Sequence, residues 1–391
     1  MRILISAYAC EPGKGSEPEV GLQTVLAAAK EHEVWVITRE NNVSALRAAL
    51  SNRKDIHVIG LEVAGVVLRA KKRGGLLTLH LYHELWQRRL AELAVRLDRQ
   101  HDFDLVHHVT FAAYWSRAGV ASVSKPLVWG PVGGGVVPPA RLVPAMGLRG
   151  AVGDVMRVLI RPLIARLSGA HATAGKASVI LTQNPETAHR IGQLSKTRVL
   201  PNGLVGGVFV ENELPAKDRT IVAAGRLIGW KGMALAISAM RHLSSEEQLD
   251  IFGEGPDRRR LERLTRRWGL QDRVHFRGRV PRDEVLAAMA GARAFLHPAL
   301  HEDSGMTVAE ALSLGTPVVC LDRGGPPVLV QQWPDVPSRV VPPSSPSATA
   351  RRLAEALREV SGHRTEPDLS PVEGFAHDLL ATYANVGERA R

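Results

Sequence analysis

Short apolar runs recur along the chain, and between many of them apolar residues return every three or four positions. Runs of the first kind suit strands buried on both faces of a parallel sheet, and stretches of the second kind suit amphipathic helices. In the first half this reading predicts strands at 3–7, 34–38, 56–60, 105–109, 127–129, 179–182 and 198–200. Helices are predicted at 20–30, 43–50 and 76–99.

The sequence PNGL at 201–204 and the polar stretch 211–218 read as a connection. The alternation then restarts, with strands at 220–224, 248–252, 273–276, 294–297 and 317–321. Helices fall at 233–243, 257–268, 282–290, 307–314, 348–360 and 372–391. Two serial runs of strand–helix alternation predict an α/β chain of two doubly wound, Rossmann-like domains, not one barrel. The expected divisions are 1–200, 201–371 and a last helix at 372–391.

Composition bounds this picture without changing it. The 391 residues suit two domains, and 45% hydrophobic with 23% charged residues is a globular balance. No apolar run approaches the ~18–20 residues that span a bilayer. The longest candidate, 151–168, is broken by Asp154, Arg157, Arg161 and Arg166. The start MRILISA is strand-like and lacks the layout of a signal peptide, which points to a cytoplasmic protein. Cys10 and Cys320 lie in apolar surroundings and read as buried free thiols.

The net charge of +11 is unevenly placed: residues 1–200 hold 26 Lys and Arg against 15 Asp and Glu. The remaining residues hold 24 of each. Such asymmetry suits an anionic partner, or simply an arginine-rich composition, since Arg outnumbers Lys 40 to 10.

The strongest chemical signal is HEDSGMTVAEALSLGTPVVCLDRGGP at 301–326. Glu302 lies in a loop after a strand, and Glu310 lies eight positions later on the next helix. Gly305, Met306 and Thr307 bring free backbone N–H groups to the start of that helix, an anion site through its amides and dipole. A glycosidase pair needs carboxyls about 5–9.5 Å apart. Eight mostly helical residues at about 1.5 Å each set these two at or beyond that range, which suits gripping separate parts of one long ligand.

The second signal is GRLIGWKG at 225–232, where Arg226 and Lys231 flank a turn opened by Gly225. Two fixed cations beyond a strand end would stabilise a departing diphosphate. The turn lacks the Gly-Lys-Ser/Thr of a nucleotide-hydrolase phosphate loop, and GEGPDR at 253–258 lacks the third glycine of a dinucleotide fingerprint.

The paired glutamates, the GRLIGWKG turn and the two α/β domains together resemble glycosyltransferase family 4, retaining enzymes of GT-B fold. CEPGKGSEPEVG at 10–21, HHVTF at 107–111 and WGPVGGG at 129–135 resemble one bacterial branch of it. The resemblance implies two Rossmann-like domains facing a cleft, with the last helix crossing back to the first domain. It implies that Arg226 and Lys231 hold the donor diphosphate with the amides of Met306 and Thr307. Glu302 would bind donor-sugar hydroxyls, and Glu310 the ribose. Arg279 and Val280 lie in HFRGRV, which matches the place where relatives hold the base by backbone groups. Gly15 and Ser16 match the loop that closes over the phosphates from the first domain. No metal or organic cofactor is implied. The resemblance also implies that the departing phosphate takes the proton of an acceptor hydroxyl that attacks from the same face.

Two departures mark this chain. Many relatives read Glu-Gly-Phe-Gly where it has Glu302, Asp303, Ser304 and Gly305. Many carry a His-x-His strand end where it has the adjacent pair His107 and His108, of which His108 is favoured as the catalytic group. Residues neighbouring on a strand face opposite sides, so one of the pair should reach the cleft.

The donor expected is a nucleoside-diphosphate sugar, with a UDP-sugar favoured. Two acceptor classes stay open. Lys71, Lys72, Arg73 and the amphipathic stretch after Val152 point to a lipid-linked or phosphorylated saccharide and peripheral contact with an anionic membrane. Glu11, Glu17, Glu19 and Glu84 point instead to a polyol or amino sugar. A sugar-nucleotide epimerase or hydrolase would need further cleft carboxylates, and a phosphorylase a lysine-bound pyridoxal phosphate. A nucleic-acid binder has no recognition-helix or zinc pattern behind it, so no nucleic-acid partner is expected.

Overall fold

The computed structural model describes residues 1–63, 76–201, 217–360 and 364–390. The chain divides into two units. One comprises Met1–Gly135, Ile160–Gly206 and Glu373–Arg391; the other comprises Val136–Leu159 and Gly207–Val372.

Each unit is built on one parallel sheet. The first holds β1 (Arg2–Ala7), β2 (Glu33–Arg39), β3 (Ile56–Leu61), β4 (Leu105–Thr110), β5 (Leu127–Val132), β6 (Val179–Thr182) and β7 (Thr197–Val199). Their order across the sheet is β3-β2-β1-β4-β5-β6-β7. The second holds β8 (Lys217–Ala224), β9 (Gln248–Phe252), β10 (Val274–Gly278), β11 (Ala292–His297), β12 (Val318–Leu321) and β13 (Arg339–Val341). Its order is β10-β9-β8-β11-β12-β13. Both sheets reverse their winding once, between β1 and β4 and between β8 and β11. Ligands of doubly wound sheets bind outside the strands' carboxyl ends at such points.

The strand runs are continuous in hydrophobicity because both faces are covered. On β1, Ile3, Ile5 and Ala7 join one core with the Ser16–Ala28 helix, while Leu4 faces the other core with Trp86, Leu90 and Phe103. The C-terminal helix Ser370–Ala390 sends Phe375, Leu379, Tyr383 and Val386 into the first of these cores. At about 1.5–3 kcal/mol for each fully buried large apolar side chain, that packing outweighs the helix's own weak propensity to form. In the second unit, Ile221 and Ala223 of β8 pack with Leu235 and Ile237 of the Met233–Met240 helix.

Most strands fall within two or three residues of their predicted positions, and three differences have physical causes. The first helix starts at Ser16 instead of 20, because Gly15 at φ 90° breaks the chain there and Glu17 and Glu19 suit a helix N-terminus. Periodicity alone registers only once Val20 begins the buried side. The helices Ala170–Lys176, Pro185–Ile191 and Pro326–Gln332 are too short to show a period. Pro185–Ile191 did carry a legible start, since the Asn184 side chain accepts from Thr187 N–H at 2.8 Å ahead of a first-turn proline.

Third, Val136–Leu159 groups with the second unit, although a boundary near residue 200 places it in the first. Leu142 and Met146 of this segment share the second core with Leu227 and Met233. Lys71, Lys72, Arg73 and most of the connection predicted at 201–218 lie outside the described residues. Cys10 and Cys320 are buried and free, and burial pushes the Cys10 thiol up to about 12.

Candidate functional site

The motifs singled out in the second half all lie at the carboxyl ends of β8, β10 and β11, around the point where its winding reverses. Beyond those ends the backbone continues to pair. Gly225 N–H donates to Phe252 O at 3.0 Å, Gly253 N–H to Gly278 O at 2.7 Å, and Leu300 N–H to Trp230 O at 2.8 Å. Gly325 N–H donates to Glu302 O at 3.1 Å. Turns that would otherwise be loose are thus stitched into one floor. Gly324 shows why only glycine serves there: it has φ 68°, and a Cβ would lie 1.8 Å from Glu302 O.

Lys231 and Glu302 meet in this floor as a hydrogen-bonded ion pair, both largely shielded from water. His297 Nε2 lies 3.4 Å from the same carboxylate. Burial works to raise the Glu302 pKa, but the Lys231 charge and the adjacent His297 ring outweigh it and hold the carboxyl below its usual range. Burial lowers the His297 pKa, so its ring is a neutral partner. Glu302 is therefore a fixed carboxylate at neutral pH, able to accept hydroxyl hydrogen bonds. An ammonium carries three N–H donors, so Lys231 can hold Glu302 and still donate to an anion.

Gly305 begins the Met306–Ser313 helix at φ 95°, and a Cβ there would lie 3.1 Å from Pro326 Cγ. No side chain caps this end. The first amides, those of Met306 and Thr307, have no acceptor within the helix, and the dipole favours an anion before them. Glu310 lies on the same helix, half-buried, with Arg282 Nε donating to its Oε1 at 2.8 Å. Burial raises the Glu310 pKa against the opposing pull of Arg282. Arg226 is exposed and makes no ion pair with any described residue. Arg279 is exposed and Val280 half-buried in the segment that follows β10.

Sequence reasoning missed a buried polar chain behind Glu302. Arg157 donates to Asp154 at 3.0 Å, and its Nη1 lies 3.4 Å from His301 Nδ1. His301 Nε2 lies 3.7 Å from Asp303. The Arg157 guanidinium also stacks 4.1 Å above Trp230. Nothing in residue spacing could show that 154 and 301 adjoin. Among the described residues, no group of three His, Cys, Asp or Glu side chains is placed to hold a metal ion.

In the first unit, Gly15 has φ 90° and open space where a Cβ would stand, at the start of the Ser16–Ala28 helix. The two histidines point to opposite faces of β4, as strand geometry requires, but neither reaches solvent. His107 bonds Tyr383 Oη at 2.6 Å and Gly130 O at 2.7 Å. His108 lies 3.2 Å from Ser6 Oγ through Nδ1, and its Nε2 is buried without a hydrogen-bond partner among the described residues. The expectation of a solvent-reaching His108 is corrected here: β4 is a central strand with helices over both faces. Burial drives the two rings down, to about 4 for His107 and about 3 for His108.

The solvent-facing group at this switch point is instead Phe111, just past β4. It is 37% exposed and holds a left-handed φ of 56°, with its N–H donating to the Glu17 carboxylate at 2.6 Å. A bulky residue in that conformation is rare and concentrates at functional positions. The carboxylates considered for a cationic acceptor are engaged. Glu17 holds Phe111, Glu19 accepts from Gln23 at 2.7 Å, Glu84 pairs with Arg117 at 2.8 Å, and Glu11 lies 3.7 Å from Lys14.

Both sheets and their order are those of the GT-B fold. Residues 208–366 match the family model described as Glycosyl transferases group 1. The chain is 29% identical over 236 residues to 2-deoxystreptamine N-acetyl-D-glucosaminyltransferase of Streptomyces fradiae, covering 56% of this chain and 54% of that protein. It is 25% identical over 270 residues to 2-deoxystreptamine glucosyltransferase of Streptomyces kanamyceticus, covering 66% of this chain and 62% of that one. A shorter match, 35% over 137 residues, joins 34% of this chain to 30% of the gpi3 subunit of phosphatidylinositol N-acetylglucosaminyltransferase of Schizosaccharomyces pombe. The matched stretches thus span about a third to three fifths of these relatives.

Among solved structures, HepE of Anabaena in complex with UDP aligns over 98% of this chain and 100% of its own, with TM-score 0.58 and 17% identity. The lipopolysaccharide outer core galactosyltransferase WaaB in its apo form aligns over 99% of both chains, with TM-score 0.61 and 16% identity. These structures share the fold.

Proposed function

We propose that the chain is a retaining glycosyltransferase of family 4 that moves a hexose-type sugar from a nucleoside-diphosphate sugar to an acceptor hydroxyl. The observation that carries this reading is the Lys231–Glu302 pair beside the uncapped Met306 helix end, one anion-binding and one hydroxyl-binding group on a common floor. The match of residues 208–366 to group 1 glycosyl transferases supports it. A UDP-sugar is the favoured donor, supported by the fold shared with a protein solved with UDP and with UDP-glucose.

In this reading Arg226, Lys231 and the amides of Met306 and Thr307 hold the diphosphate, Glu302 the sugar hydroxyls, and Glu310 the ribose. Gly225 gives the turn its close approach, Gly305 does the same at the helix start, and the backbone of Arg279 and Val280 holds the base. Gly15 and Ser16 of the first unit serve the phosphates. Charge grows on the diphosphate as the sugar bond breaks, and fixed cations and amides stabilise it there. The acceptor hydroxyl attacks from the same face and gives its proton to the departing phosphate. No dedicated metal or organic cofactor takes part, and the reaction is placed in the cytoplasm or at the inner membrane face.

The acceptor is a saccharide, polyol, amino-sugar natural product or lipid-linked sugar. Two relatives named for 2-deoxystreptamine favour the aminocyclitol class.

Calorimetric titration with UDP, GDP, dTDP and ADP tests the donor half. One diphosphate should bind selectively, and Glu310→Ala should weaken it about 10-fold, the cost of one or two hydrogen bonds to a charged group. Equal binding of all four, or affinity indifferent to that substitution, would refute the assignment.

A further inference from the structure

Lys231 and Glu302 stand on two turns far apart in the chain, so their pairing depends on how those turns are held together. Each is preceded by a flat ring, Trp230 before Lys231 and His301 before Glu302. The two rings lie 6.4 Å apart and are tilted by 40°. One side chain reaches both. The Arg157 guanidinium stacks 4.1 Å above Trp230, and its Nη1 lies 3.4 Å from His301 Nδ1. The same nitrogen donates to Asp154 at 3.0 Å. All of these residues belong to the second unit.

The contact with His301 has a direction. A guanidinium only donates, so Nδ1 is the accepting nitrogen and the neutral ring carries its hydrogen on Nε2. Nε2 in turn lies 3.7 Å from Asp303, the residue after Glu302. Arg157 thereby orients a ring that is engaged on both sides of Glu302. The segment that carries Arg157 also lies hard against the Lys231 turn. A Cβ on Gly229 would stand 2.5 Å from Met146 O, and one on Gly150 would stand 3.1 Å from Gly229 Cα. Leu300 N–H closes the frame by donating to Trp230 O at 2.8 Å. Neutralising the buried Asp154 would need only a charge. Stacking on one ring while donating to another needs the planar fork that arginine has and lysine lacks.

We infer that Arg157 is the positioning residue of the Lys231–Glu302 pair. It clamps the side chain next to each member and sets how the two turns stand to one another. It acts through Trp230 and His301, not by contact with the donor. The inference rests on the donor reading of that pair.

A double-mutant cycle with Glu302→Gln tests it, read by calorimetry on the full chain. The probe is the glucose conjugate of whichever diphosphate the chain selects, UDP-glucose on the present reading. Arg157→Ala should weaken its binding about 10-fold in the parent and less than about 3-fold beside Glu302→Gln, because residues that act through one another are not additive. Arg157→Lys keeps a charge beside Asp154 and should melt near the parent, yet lose about 3-fold or more in affinity. It carries the cycle if the alanine variant does not fold. Equal losses in both backgrounds, or a lysine variant that binds like the parent, would show that Arg157 only supports the fold; the inference then fails while the donor reading stands. A parent chain that binds none of UDP, GDP, dTDP and ADP overturns the donor reading itself, and the inference with it.

Discussion

The two sheets wind alike, yet their switch points carry opposite chemistry. Around β8 and β11 the groups are charged and their partners are fixed: Lys231 on Glu302, Arg282 on Glu310, and a bare helix end between. On β4 the two histidines are buried, and the solvent meets Phe111, Glu17 and the open Gly15 turn. A floor of fixed charges suits a diphosphate, whose recognition is electrostatic. An aromatic edge beside open backbone suits the flat, weakly polar face of a sugar or cyclitol. On the proposed reading one frame would serve two unlike ligands, because strand order sets where a site lies and the loops set what it holds.

The comparison breaks most readily at Lys231. Lys231→Ala should lower kcat/KM for the donor by about 10²–10³, the usual cost of one fixed donor to developing charge, chiefly through kcat. A loss confined to KM would show that Lys231 binds ground state and transition state alike. At the other switch point, Phe111→Ala should raise the acceptor KM about 10-fold, the scale of one buried aromatic contact, and leave donor affinity unchanged. Weakened UDP binding in that variant would erase the distinction between the two ends.

The smallest expected effect is on stability. The His107 and His108 rings have pKa values pushed down to about 4 and about 3, below the ordinary histidine value. Between those values and about 6.5 the unfolded chain binds protons that the folded one does not. Stability is therefore full above about pH 6.5 and falls as pH drops through that window. His108→Asn should remove about 1–2 kcal/mol of the loss between pH 7 and pH 5, read as urea midpoints at both values. Parallel behaviour of variant and parent would place the acid sensitivity elsewhere.

How much was legible can be followed residue by residue. Strand cores such as 248–252 were readable because central parallel strands must be apolar throughout. The 225–232 and 301–310 motifs were readable because glycines and charges fall where strands end. Phe111 was not, since nothing in HHVTF signals a left-handed φ. Nor was the packing of helix 147–167, where Arg157 and Arg161 break an apolar run in sequence while in space they stack on Trp230 and Trp115.

The sequence alone determined two doubly wound α/β domains and the glycines and charged groups set at the strand ends of the second, because local periodicity and turn chemistry act over a few residues. Tertiary structure decided which charges are spent on one another. It paired Lys231 with Glu302, shut His107 and His108 away from solvent, and turned Arg157 and Arg161 onto tryptophans. Those outcomes depend on residues up to a few hundred positions apart being brought within hydrogen-bond reach, where desolvation and pairing energies depend on which neighbour is present. No pattern along the chain carries that information.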